Sequence, residues 1–155
     1  MRNLKNPCKI AVIQATPVIF DKEKGLAKTL GLIDECAANG AELIVFPELF
    51  IPGYPYGMTY GFKIGSRSEN GRKEWKKYYD NSLLADGEEM KKIAERAIKH
   101  KVYISIGYSE RDAMNATLYN SNMFISPDGE TVLRKKLKLM EFLLCLIFFI
   151  AGILH

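Results

Sequence analysis

Glu48 stands directly after Pro47 and the apolar run Leu43 to Phe46. Ligands of parallel α/β sheets collect beyond the carboxyl ends of the strands, so a glutamate at such a place is a candidate general base. A lone glutamate there is more often a helix cap or a salt-bridge partner, so its neighbours have to decide. Other chemistry-bearing residues are sparse. The cysteines, Cys8, Cys36 and Cys145, are far apart with no CxxC, and the only histidines are His100 and His155, so neither a zinc site nor a disulfide framework is expected. Cys145 sits between Leu144 and Leu146, without a turn glycine or an adjacent charge to lower its pKa, and is expected to be an inert apolar thiol. Cys36 falls near the carboxyl end of an expected helix, where the dipole disfavours a thiolate, and Cys8 precedes the first strand. Arg134, Lys135, Lys136 and Lys138 form the one local basic cluster, whose ordinary meaning is a solvated strand end.

The surrounding pattern says which elements must position these groups. Lys9 to Gln14 is β-branched and lies between Pro7 and Thr16-Pro17, as expected of a buried strand. Asp21 can cap a helix carrying Leu26, Leu30, Ile33 and Ala37 on one face, with Asn39-Gly40 as a left-handed stop. Leu43 to Phe46 is then a second strand, which makes a β-α-β unit with parallel neighbours. Gly53 to Asp80 reads as a long irregular connection, rich in glycine, tyrosine and charge. Met90, Ile93, Ala94, Ala97 and Ile98 trace one face of a helix from Glu88 to about His100. Val102 to Tyr108 is the next strand, and Leu118 to Ile125 and Thr131 to Lys138 are two more, joined by the turn Ser126-Pro127-Asp128-Gly129.

Taken together, Gly40, Leu43, Ile44, Phe46, Glu48, Ile51, Gly53, Tyr54 and Pro55 form a long and specific pattern that resembles the nitrilase branch of the carbon–nitrogen hydrolases. The likeness continues through Leu118-Tyr119-Asn120, the Ser126 to Gly129 turn and the run Arg134 to Lys138. Gly53-Tyr54-Pro55 is more similar to nitrilases proper than to the amidases of the same superfamily.

The resemblance implies an α/β fold, the N-terminal half of a four-layer α-β-β-α sandwich, in a domain spanning residues 1–138 and followed by an apolar tail, 139–155. It implies hydrolysis of a small nitrile or amide to a carboxylate and ammonia, without a cofactor or metal. In that family a glutamate, a lysine and a cysteine act together. Glu48 takes the position of the base, and Lys136 that of the cation stabilising the tetrahedral intermediate. Lys135 competes for the same role, because alternation along a strand allows only one of the two to face the pocket. Tyr54 would line the substrate pocket, with Tyr56, Met58, Tyr60 and Phe62 following it. The family's pattern stops after Lys138, and the segment that would carry its nucleophilic cysteine has no counterpart here, so the chain is expected to be catalytically disabled.

The bulk numbers agree with one globular domain. The chain has 155 residues, 48% of them apolar, and a mean hydropathy of −0.08. Its net charge of +4 is interleaved with acids, which argues against nucleic acid as a partner. The first ten residues hold no signal-peptide core, so a cytoplasmic location is expected. Phe142 to Leu154 is uncharged and apolar but shorter than the roughly 20 residues of a spanning helix, so membrane association is the alternative and not the favoured one. A half-sandwich exposes an inner sheet face, which leads us to expect a homo-oligomer or association with a full-length relative.

Overall fold

A computed structural model describes residues 7–54 and 68–138. Five strands, β1 (Ile10–Val12), β2 (Leu43–Val45), β3 (Tyr103–Arg111), β4 (Leu118–Ile125) and β5 (Thr131–Lys138), form one sheet in the order β1-β2-β3-β4-β5. The first three strands are parallel, and β3, β4 and β5 are antiparallel neighbours. Helices α1 (Lys22–Ala38), α2 (Glu69–Asn81) and α3 (Glu88–His100) complete the described chain.

Helix α1 crosses from β1 to β2, and α3 leads into β3. Right-handed crossovers put both on one side of the sheet and parallel to each other. Their facing ends are tied at both limits, by the ion pair of Lys22 with Glu89 at 2.9 Å at the start and by the hydrogen bond between Asp34 and His100 at the finish. The core lies between these helices and the sheet. Leu26 and Ile33 of α1 and Met90, Ile93 and Ala97 of α3 pack over Ile44, Ile104, Ile106, Met123 and Ile125. Asp21 caps α1 through Lys24 N at 2.9 Å. Gly40, at φ 82°, provides the left-handed stop that lets the chain turn into β2.

Two expectations need correction. β1 is not a buried strand: Ala11 is half-buried on the helix side, but Ile10 and Val12 are 52% and 76% exposed on the other. β1 lies at the edge, and no described element covers the far face of the sheet. Gly53 to Asp80 is not irregular throughout, because α2 occupies its second part. Trp75, Tyr78 and Tyr79 follow helical spacing, but they are scattered among charges that mask the period. The helix is held by Ser68, which accepts from Gly71 N, by the pairs Glu69–Lys73 and Lys76–Asp80, and by the burial of Tyr78.

Asp34 gathers His100, Arg96 and Lys99 of α3 around one carboxylate. The His100 hydrogen bond, then the charge of Arg96 and the contact with Lys99, hold it below the ordinary aspartate value of 3.8. A carboxylate pKa lowered by folding stabilises the folded state above the unfolded value, and the benefit is lost as pH falls through the folded one. Because Asp34 is partly exposed, Asp34→Asn should cost only about 0.5–1 kcal/mol at neutral pH. Urea titrations should show that difference shrinking below the ordinary aspartate value, and a gap constant to lower pH would refute this account.

Candidate active site

Beyond Val45 the chain leaves the sheet and returns to it. Val45 pairs with Ser105 and Phe46 N donates to Ser105 O at 2.8 Å, after which Pro47 and Glu48 bulge away. Phe50 N then donates to Gly107 O at 2.9 Å, Ile51 forms a bridge with Tyr108, and Ser109 N donates to Ile51 O at 2.8 Å. Between the two anchors, six steps along this segment match three along β3, so the excess must arch over the neighbouring strand.

Each part of FPELFIPG has a role in that arch. Phe46, Leu49, Phe50 and Ile51 are buried and pin both feet, whereas Pro47 and Glu48 are exposed at the crest. Leu49 takes a positive φ of 47° to make the return. Ile51-Pro52 is cis, and Gly53 turns at φ 88° against Ile19, where a side chain has little room. Beneath the crest lies Gly107. A Cβ there would stand 2.6 Å from Pro47 O and 2.7 Å from Glu48 Cα. An isolated glycine within VYISIGY is a recognised sign of close backbone approach, and it is the signal by which the sequence could have pointed to this residue.

The Gly107 face of β3 also carries Ser105, and its ladder neighbours on β4 are Asn122 and Asn120. Asn120 Nδ2 donates to Glu48 Oε1, and Ser105 Oγ donates to Asn122 Oδ1 at 3.2 Å. The Glu48 carboxylate is thus held on the face of the sheet that the helices leave open. α2 closes the strand ends beside it. Tyr78 Oη donates to Gly53 O at 3.2 Å, Phe20 meets the Tyr78 ring edge-on, and Ser82 Oγ and Ser109 Oγ are hydrogen-bonded at 2.8 Å. Burial raises the Tyr78 hydroxyl to about 12, so it stays a donor.

Tyr54 is 38% exposed beside this anchor. In the β4–β5 ladder Lys136 stands opposite Ser121 and Lys135 opposite Asn122. The side chains of 133–138 lie outside the described residues, as do Tyr56, Met58, Tyr60, Phe62, Cys145 and the run Phe142 to Leu154. Cys8 and Cys36 are free and half-buried, and desolvation, with the charge of Glu35, raises the Cys36 thiol. Among the described residues, no group of three or more His, Cys, Asp or Glu could hold a metal ion, and no helix is long and apolar enough to cross a membrane. A cavity of about 450 Å³ includes Glu110, Met123 and Thr131 in its lining, and Met123 belongs to the helix-covered face, away from Glu48.

Residues 9–144 match the carbon-nitrogen hydrolase family. An aliphatic nitrilase of Sinorhizobium fredii is 40% identical over 83% of the chain and 41% of its own length. Nitrilase 2 of Arabidopsis thaliana is 41% identical over 85% of the chain and 38% of its own length, and a cyanide hydratase of Botryotinia fuckeliana is 42% identical over 84% and 33%. The chain therefore spans about two-fifths or less of the curated relatives it matches. Among solved structures, the NitFhit protein of C. elegans superposes with a TM-score of 0.59 at 24% identity, covering 82% of the chain and 27% of that protein. An N-terminal amidase bound to a Gln-Gly peptide gives 0.60 at 21%, covering 83% and 27%. These structures share the fold.

Gly107→Ala should cost about 1–3 kcal/mol, because the atoms in its way are backbone and cannot swing aside. Thermal unfolding would measure the loss, and an unchanged midpoint would show that the crest does not rest on β3. The match over residues 9–144 and relatives about 40% identical over more than four-fifths of the chain lead to one assignment: the chain belongs to the carbon-nitrogen hydrolase family.

Proposed function

We propose that this chain carries the base-bearing part of a nitrilase-type site, with Glu48 as general base, Lys136 as the cation and Tyr54 at the pocket rim. The observation that carries the reading is Glu48 itself, exposed at the strand ends on an arch whose two feet are buried. In the reaction a cysteine thiolate adds to the nitrile carbon after Glu48 takes the thiol proton. Negative charge grows on nitrogen, where a lysine ammonium stabilises it. Two waters are consumed, and the nitrogen, once protonated, leaves as ammonia to give the carboxylate. An amide enters the same sequence one hydration later.

The register favours a second reading of the cation. Opposite residues of an antiparallel ladder share a face, and Lys135 stands opposite Asn122, in the row that holds Asn120, whose amide meets Glu48.

The sequence as it stands should not turn over. Cys36 is shifted away from the thiolate, and no described cysteine contacts Glu48. Ammonia release from a panel of aliphatic and aryl nitriles should stay at the blank, and turnover that Cys145→Ala abolishes would overturn this. In that event Glu48→Gln and Lys136→Ala should each lower it roughly 100-fold or more, and Lys135→Ala by less than about threefold. The reverse order for the two lysines would give the role to Lys135.

The open face supports a reading of assembly as well. Ile10 and Val12 are exposed on the same side of the sheet as half-buried Val45 and Phe124, an apolar strip of the kind that associates. Sedimentation at micromolar concentration should find a homo-oligomer, and binding to a full-length relative should compete with it. A stable folded monomer that ignores such a relative would count against this.

A further inference from the structure

We infer that Asn120 is the positioning residue of the Glu48 carboxylate, fixing Oε1 and leaving Oε2 as the oxygen that exchanges protons. The inference rests on the reading of Glu48 as the base and goes beyond it by naming what aims the base.

The geometry supplies three reasons. Glu48 sits at the crest of an arch, exposed, so packing does not select its rotamer. Asn120 comes from a different strand and donates Nδ2 to one defined oxygen of the carboxylate. Asn120 is itself well placed to hold: its backbone pairs with Ser109 on β3 and Leu137 on β5, so it stands in the middle of three strands and not on a loop. A side chain on such a rigid element gives better-defined direction than one on a loop. Two rungs along the same row, Asn122 accepts at its Oδ1 from Ser105 Oγ, whereas Asn120 is the amide that donates to the carboxylate.

A carboxylate has two oxygens and accepts at both, so one occupied by an amide donor leaves the other for chemistry. The amide is a suitable group for this. It donates without carrying a charge, so it aims the base without forming an ion pair that would have to break when the proton arrives.

The test uses the whole chain and the isosteric variant Asn120→Asp, which replaces the donor by an acceptor at unchanged volume. In ¹⁵N spectra of the parent protein, one Asn120 side-chain amide proton should lie downfield and exchange slowly. Glu48→Ala should return it to the ordinary position, and an unmoved signal would overturn the contact. In Asn120→Asp the Glu48 methylene couplings should change from one rotamer to an average, while the unfolding midpoint stays within about 2 °C of the parent. Couplings unchanged in Asn120→Asp would overturn the positioning role. Wherever ammonia release can be measured, Asn120→Asp should lower kcat about tenfold with KM within threefold. In a chain without turnover, the result expected above, the two spectroscopic outcomes alone decide Asn120, whereas turnover that Glu48→Gln leaves unchanged would sink the reading of Glu48 as base and not the contact, so the failures can be told apart.

Discussion

The backbone of Pro47 to Leu49 rests directly on the backbone of β3 at Gly107, with no side chain between them. The rest of the site depends on that contact. Adjacent strands of a sheet are held at hydrogen-bonding distance, so a segment with surplus residues must move out of the plane, and it can lie close only where the strand below carries no Cβ. Gly107 sets the height of the crest. Phe46 and the run Leu49-Phe50-Ile51, buried on either side, then fix its two ends. The outcome is a carboxylate raised above the sheet by backbone geometry, without relying on its own packing.

That constraint explains why the stretch Gly40 to Pro55 is so recognisable. Gly40 is needed because the chain must leave α1 with a positive φ, and Gly53 because the turn after the cis Ile51-Pro52 peptide packs on Ile19. The apolar positions are the feet of the arch, and Glu48 stands exposed with Pro47 at its crest. A motif of this length is a description of a backbone path as much as of a catalyst. This is why it can establish the family while leaving the completeness of the chemistry open to experiment.

What the sequence made legible followed from periodicity and punctuation. Helices α1 and α3, the β-α-β order and the Ser126 to Gly129 hairpin were all readable, because each pairs a regular apolar spacing with a cap or a turn. α2 was not, since its stability comes from i,i+4 ion pairs and from one buried tyrosine, neither of which leaves an apolar stripe. The exposure of β1 was also hidden. A strand with one covered face and one bare face has the same β-branched composition as a strand buried on both, and only the count of layers distinguishes them. The place of Glu48 just beyond the second strand could be read from its neighbours, whereas its contact with Asn120 spans 72 positions and depends on the register of three strands.

The two faces of the sheet differ in a way that links stability to chemistry. The helix side is closed, and its core residues Ile33, Ile44, Ile93, Ile104 and Ile106 are fully buried. The other side carries bare Ile10 and Val12, the stacked pair Tyr103 and Phe124, and, at its polar end, Ser105, Asn122, Asn120 and Glu48. The apolar part needs cover because exposed aliphatic surface costs about 25 cal/mol per Å² relative to burial. The polar part gains from cover because the Glu48 carboxylate and its hydrogen bond interact more strongly where water is excluded. Both needs fall on one continuous surface, so any layer that relieves the first also encloses the second. On this sheet, covering the apolar strip and enclosing the Glu48 carboxylate are the same event.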